Sequence, residues 1–182
     1  MKYIFRGELS KNSIDNLIEQ IKSYQEVTLS RKCDTFVRRL TELGLNVSQQ
    51  ILATDGIGDA DREGIFSVAY NITSDDFNGT LSLTSTPHTD DNGRIFYPHL
   101  AWEFGAGIHY NNGNANPKAA QFGLGVGTFP DQKYALNPGY WYYKDENEQT
   151  HLSLGTQATM PMYRAATEIM RQVDIIAKEV FG

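Results

Sequence analysis

The stretch LAWEFGAGIHY, residues 100–110, holds one carboxylate, Glu103, inside an aromatic run of Trp102, Phe104 and Tyr110. Two glycines, Gly105 and Gly107, follow it closely, and His99 and His109 lie near its ends. Its reading decides how the two halves of the chain join. If the stretch is helical, His99 and Glu103 share a face at i, i+4. If it is extended they also share a face, but about 13 Å apart, too far to hold one ion. The spacing is not that of the H-E-x-x-H zinc helix, and no second glutamate is placed as a base. The residues favour a structural glutamate: a bend at Gly105 and Gly107, with Glu103 accepting hydrogen bonds near Gly155–Thr159, because a buried carboxylate without partners is costly.

Upstream, RIFYPHLAWEFG (94–105) reads as a strand or short helix, with Pro98 marking an edge or break. Before it, GIFSVAYNI (64–72) alternates Phe66, Val68, Tyr70 and Ile72 with small polar residues, and GTLSLTST (79–86) alternates Leu81 and Leu83 with Thr80, Ser82 and Thr84. Asn78-Gly79 is a turn signal, so the pair is expected to form an antiparallel hairpin. Between Gly7 and Gly44 there is neither glycine nor proline. Ile14, Leu17, Ile18 and Ile21, then Cys33, Phe36, Val37, Leu40 and Leu43 recur at helical spacing. The expectation is a long helix capped by Asn12 or Ser13, with Asp15 in its first turn and Gly44 just past its end. Such a helix is roughly 45 Å long. Its middle, SYQEVTLS, carries a weaker stripe, which suggests a kink or two stacked helices. YIFRGEL (3–9) reads as a short strand.

Downstream, residues 108–139 are rich in glycine and asparagine and read as an extended loop. YWYY (140–143) and THLSL (150–154) form a second candidate hairpin, and the stretch beginning at TMPMYRAATEI is a helix capped by Thr159, with Pro161 in its first turn. Its stripe is Met162, Ala166, Ile169, Val173, Ile176 and Val180. The order of elements argues for one domain over 1–182 with an α+β fold, a mostly antiparallel β-sheet packed by a long N-terminal helix and a C-terminal helix.

Composition narrows the function classes. The chain has 182 residues, 40% of them hydrophobic, and a formal net charge of −6. Lysines and arginines never exceed two in a row, so a basic nucleic-acid footprint is lacking. Cys33 is the single cysteine, which excludes a disulfide framework and a cysteine metal cluster. FGLGVGTF (122–129) offers Gly123, Gly125 and Gly127, but has neither the G-K-[ST] of a phosphate loop nor the spacing of a dinucleotide fingerprint. DADREG (59–64) copies the first half of a calcium loop, yet Tyr70 stands where a bidentate glutamate belongs. Asp75–Asp76 and Asp90–Asp91 sit in polar turns. No cofactor and no catalytic group are expected.

Two motifs together resemble a known family. EFGAG (103–107), followed after a variable loop by GTQATMPMYRAATEI (155–169), is similar to the E-F-G-[TS]-G … G-x-x-A-x-P-F-[LM]-x-P-A signature of the small neck or tail-component proteins of long-tailed bacteriophages, the head–tail joining group. FRGELSKN and FVRRLTELG resemble that family's first strand, helix entry and long first helix. Here Met162 replaces the usual Phe, Ala165 falls where a second Pro-Ala is usual, and the A-P-x-x-T-G-x-L-R-x-S segment is represented only by GDADREGIFSVAY. The matching motif positions are Glu103, Phe104, Gly105, Gly107, Gly155, Thr156, Ala158, Pro161 and Met162.

The resemblance implies a non-enzymatic structural protein of the virion, assembled in the host cytoplasm. It would form a homo-oligomeric ring, six- or twelve-fold, between the head-closure or connector proteins and the tail-terminator or tail-tube proteins. DNA would pass through the lumen without sequence-specific binding, and no membrane would be involved. Whether such a ring is connector-proximal or tail-completing is left open. Rings need two different complementary patches per subunit, and Tyr140, Trp141, Tyr142 and Tyr143 are candidates for one of them. The alternatives are a small metal-binding enzyme using His99, Glu103 and His109, or a soluble ligand-binding module whose pocket lip is the 122–143 segment.

Overall fold

The fold is seen in a computed structural model that describes residues 11–54, 66–73, 77–89, 93, 95–107, 116–122, 140–144 and 147–182. It is α+β: a small antiparallel two-stranded sheet packs against a long N-terminal helical run and a C-terminal helix, and two further antiparallel strand pairs accompany it. The elements in order are α1 (Lys11–Ser23), a π-helical segment (Tyr24–Leu29), α2 (Ser30–Thr54), β1 (Phe66–Thr73), β2 (Asn78–Ser85), β3 (His88–Thr89), β4 (Ile95–Phe96), α3 (Pro98–Phe104), a 3-10 turn (Ala119–Phe122), β5 (Trp141–Lys144), β6 (Thr150–Ser153) and α4 (Pro161–Phe181). The first strand expected at 3–9, the acidic turns at 59–64, 75–76 and 90–91, Gly123, Gly125, Gly127 and His109 lie outside the described residues.

The N-terminal helical run is longer than its sequence pattern suggested. It continues unbroken from Lys11 to Thr54, about 65 Å at 1.5 Å per residue. Asn12 and Ser13 therefore lie inside it rather than capping it, and Asp15 falls just beyond the first turn. Gly44 does not end it either. Gly44 is buried inside α2, where a Cβ would meet Ile169 Cδ1 at 2.7 Å and Leu81 Cδ2 at 3.1 Å. The missing side chain is a packing requirement, not a stop signal. It lets both α4 and the β1–β2 hairpin approach the same turn.

The weak middle of the run is the π-helical segment, which joins α1 to α2 in one continuous run rather than leaving two separate stacked helices. Its cause is a phase error in the apolar pattern. Stepping back from Cys33 by α-helical turns meets Glu26, Lys22 and Asp15. The apolar residues of α1 sit one position away, at Ile14, Leu17, Ile18 and Ile21. The i→i+5 bonding of a π segment absorbs about one extra residue. That rotation brings the α1 stripe back onto the face that α2 turns to the rest of the chain.

α2 and α4 run antiparallel and form the main packed pair. Ser48 lies against Pro161 and Met162, Gly44 against Ile169, Arg39 pairs with Glu179, and the Phe36 and Phe181 rings meet edge-on at 5.5 Å. The buried side of α4 differs from expectation at one position. Ala165 is fully buried while Ala166 faces outward, because the α2 contact is centred on Pro161, Ala165, Ile169 and Ile176.

The β1–β2 hairpin lies on α2, with Leu81 and Leu83 half-buried and Thr80, Ser82 and Thr84 exposed, as the alternation requires. Asn78 and Gly79 are not its turn. They pair with Thr73 and Ile72, so the connection precedes them, and Phe77 there has φ of +48°. Gly79 sits so close to α2 that a Cβ would lie 2.2 Å from Thr41 Oγ1. Tertiary approach, not turn chemistry, explains that glycine. The β5–β6 hairpin forms where the sequence placed it, with Tyr142 opposite Leu152.

Candidate functional site

The site is a joint between α3 and the start of α4. α3 begins at Pro98, a residue suited to a first helical position because its missing N–H needs no partner. The next N–H, that of His99, donates to Ser85 Oγ of β2 at 3.1 Å, and the same hydroxyl lies 2.7 Å from His99 Nδ1. Ser85 therefore caps α3 from another element. Burial holds the His99 pKa below its ordinary value.

α4 is capped by the same device, and Glu103 supplies it. A helix leaves its first backbone N–H groups without partners. Here Pro161 has none to satisfy, Met162 N donates to Glu103 Oε2 at 2.8 Å, and Tyr163 N donates to Glu103 Oε1 at 2.9 Å. Thr159, expected as the cap, makes no such bond. Its hydroxyl and its N–H both turn back to the Trp102 carbonyl, at 3.4 and 2.9 Å, and Met160 N donates to that oxygen at 3.1 Å. Met160, the residue before the helix, takes a left-handed conformation with φ of +56°, which carries the chain into the helix without a local cap. A carboxylate at this end also meets the positive pole of the helix.

Asn116 completes the enclosure. It is 2% exposed, and its Nδ2 donates to both Glu103 Oε1 at 2.9 Å and the Glu103 carbonyl at 3.0 Å. Its own oxygen accepts from Lys118 N at 2.9 Å, which closes the Asn-Pro turn that opens the 3-10 segment. Glu103 itself is 9% exposed. Loss of water raises its pKa above the ordinary glutamate range, while the bonds from Met162, Tyr163 and Asn116 pull it back down in part.

The backbone on both sides is laced together. Gly105 and Gly107 have φ of +78° and +79°, and Gly105 N bonds to Ala101 O at 2.8 Å to close α3. Ala106 and Thr156 then exchange two hydrogen bonds, each 2.8 Å. Gly155 has φ of +94°, and a Cβ there would stand 2.0 Å from Ala106 O, so no other residue fits. Ala158 and Pro161 are buried beside this bridge.

The nine motif positions thus meet in one place, although more than forty residues separate the two segments in the chain. Their arrangement braces α3 against the start of α4. Both Glu103 oxygens are held by N–H donors and His99 Nδ1 by a hydroxyl. Among the described residues no three His, Cys, Asp or Glu side chains are grouped to hold a metal. Cys33 is half-buried on α2. Of the candidate interface aromatics, Tyr140 and Tyr142 are exposed, with ring centroids 6.1 Å apart, while the side chains of Trp141 and Tyr143 lie outside the described part. Sequence reasoning missed Asn116 and Ser85. The Asn-Pro dipeptide marks a turn but not its partner, and nothing in the sequence ties Ser85 to a helix fourteen residues on.

Beside the joint lies an open apolar groove of about 540 Å³. Phe104, Phe122, Met162, Ala166 and Met170 form its walls, Lys118 stands at it, and the Phe104 and Phe122 rings are 5.5 Å apart. No helix among the described residues is long and apolar enough to cross a membrane. No protein-family model, no curated protein and no solved structure matches the chain.

Proposed function

We propose that this chain is a structural subunit of a bacteriophage virion, part of the neck or tail-completion ring that joins the head connector to the tail, with no catalysis. What carries the reading is the pairing of EFGAG with GTQATMPMY. These are the segments that resemble the head–tail joining signature, and they are the two sides of the Glu103 joint. A motif whose residues brace one another suits a scaffold whose shape must repeat identically around a ring. Exposed apolar surface adds support. Ile14, Ile18 and Ile21 on α1, Tyr142 with its cross-strand partner Leu152, and Phe122 with Met170 are all exposed. Subunits of closed rings need such unlike patches. The net charge of −6 suits a passage that lets DNA slide without gripping it.

The test is location. Antibody against the chain, applied to purified tailed particles made in its presence, should label the head–tail junction in negative stain. Mass spectrometry of the same particles should find the protein. Particles that lack it, together with a purified protein that stays monomeric, would remove the reading.

A further inference from the structure

We propose that residues 3–9 of one copy add as a third strand to the outer edge of β1 in the next copy, so that copies of this chain are joined by strand exchange. The proposal deepens the ring reading above, since it names the interface such a ring would use. It rests on a sheet edge, on a segment with a strand pattern, and on the distance between them.

The acceptor is the β1–β2 hairpin. Its two strands are eight residues each and pair along their full length without a bulge. Among the described residues the sheet stays two-stranded, with no strand along the outer edge of β1. Ala69, Tyr70 and Asn71 are all exposed there, whereas Leu81, Leu83 and Ser85 of β2 are half-buried. A free edge is a template for another chain, and proteins ordinarily guard one with a charge, a proline, a bulge or a very short strand. This hairpin has none of these guards: FSVAYNIT and NGTLSLTS contain no charged residue and no proline.

The donor is YIFRGEL, residues 3–9. Tyr3, Phe5 and Leu9 alternate with Ile4, Arg6 and Glu8, a pattern whose backbone needs a neighbour to pair with. Among the described residues α1, which follows this segment, makes substantial contact with no strand. Arg6 and Glu8 would also give the enlarged sheet the charged edge that β1 lacks.

Distance decides which copy supplies the strand. The turn end of the hairpin lies on α2, where a Cβ at Gly79 would meet Val37 and Thr41, and Leu81 lies farther along, at Gly44. Val37 is about 39 Å along the continuous helical run from Lys11. Only Ser10 stands between Leu9 and Lys11, and those two chain steps cover about 7 Å. Residues 3–9 therefore cannot reach β1 of their own copy, while β1 of a second copy is open to them. Donor and acceptor are unlike surfaces, so the contact is heterologous: each copy gives one strand, receives one, and propagates a ring or a filament.

Hydrogen exchange of the full chain, read by mass spectrometry from dilute to concentrated protein, tests this. Residues 3–9 and 66–73 should gain protection together, by about tenfold or more, as the protein self-associates. Phe5→Pro takes one N–H out of the donor strand. In that variant 66–73 should lose the gain, and self-association should weaken roughly thirtyfold, the size of one interface hot spot. Its unfolding temperature in dilute solution should be unchanged. A synthetic peptide of residues 1–10 added to the Phe5→Pro protein should restore protection in 66–73, and a scrambled peptide should not. The proposal is overturned by a wild-type chain that stays monomeric at high concentration, or by self-association that protects neither segment. Protection of 3–9 already present in the monomer, a lowered unfolding temperature for Phe5→Pro, undiminished assembly of that variant, or a peptide that leaves 66–73 unprotected would overturn it as well. The two readings fail separately. A strand-exchanged oligomer missing from virions would sink only the neck assignment, whereas a neck ring in which 3–9 stays unprotected would sink only the interface.

Discussion

The α3–α4 joint and the α1 arm are opposites in how they use the same chain. At the joint, polar groups are buried and each has a partner: Glu103 takes three N–H donors, Asn116 spans Glu103 and Lys118, and Ser85 holds His99. On the arm, isoleucines are exposed and no other described element comes to cover them. The difference teaches that a stripe of correct period guarantees a helix but not a burial partner. A buried carboxylate, by contrast, is stable only where partners have already been placed.

The strongest way to break the comparison is at Gly155. Gly155→Val puts a side chain into Ala106 O at a backbone angle valine avoids, and the expected loss is about 4 kcal/mol, enough to leave much of the protein unfolded. Urea unfolding followed by circular dichroism reads it. A loss below about 1 kcal/mol would mean that the Ala106–Thr156 bridge is dispensable.

Glu103→Ala comes next. It strips two N–H caps from α4 and removes one of the two bonds that Asn116 Nδ2 donates to Glu103, at an expected cost of about 2–4 kcal/mol. The same residue sets a pH signature. Its folded-state pKa is raised, chiefly by burial, so the stability linked to it is fully present below the ordinary glutamate pKa. That stability is lost as pH rises through the raised folded-state value. Glu103→Gln lacks this dependence. Wild type should therefore lose stability relative to Glu103→Gln as pH climbs through the range just above the ordinary glutamate pKa. Paired urea titrations at stepped pH measure it, and an opposite slope would mean that the N–H bonds outweigh desolvation.

Ser85→Ala removes the cap of α3 and should cost about 1 kcal/mol by the same measurement. It should also shift the NMR signals of the His99 ring, whose Nδ1 loses its partner. The smallest effect is expected on the arm. Ile18→Ala should change the stability of dilute protein by no more than about 0.5 kcal/mol. A loss as large as at the joint would mean that the arm is covered within its own chain, and the contrast would fall.

Much of the fold is legible in the residues. The alternation at 79–86, the aromatic and polar runs at 140–154, and the Pro161 helix start each mark their elements, because periodicity and proline chemistry are local properties. Glu103 can also be singled out, since a lone carboxylate among aromatics needs donors, and pairing 103–107 with 155–169 points to where they lie. The donors proved to be Met162 and Tyr163, a few residues beyond the expected stretch. Thr159 looked like the cap because threonine caps helices in general, yet its side chain faces Trp102 O instead. Gly44 and Asn78-Gly79 carry the marks of a helix stop and a turn, but both glycines serve close packing between elements, which no local pattern reveals.

The sequence by itself determined the helices, the hairpins and the need for a partnered Glu103, because each follows from neighbours within a few residues. Only the tertiary structure decided which groups answer that need. Ser85 caps α3 and Glu103 caps α4 across element boundaries, Asn116 closes over the carboxylate, and a π segment corrects the phase of the long helix. The physical reason is the same in each case. A hydrogen bond or a packed face is satisfied by whatever the fold brings within reach, and distance along the chain does not enter its energy.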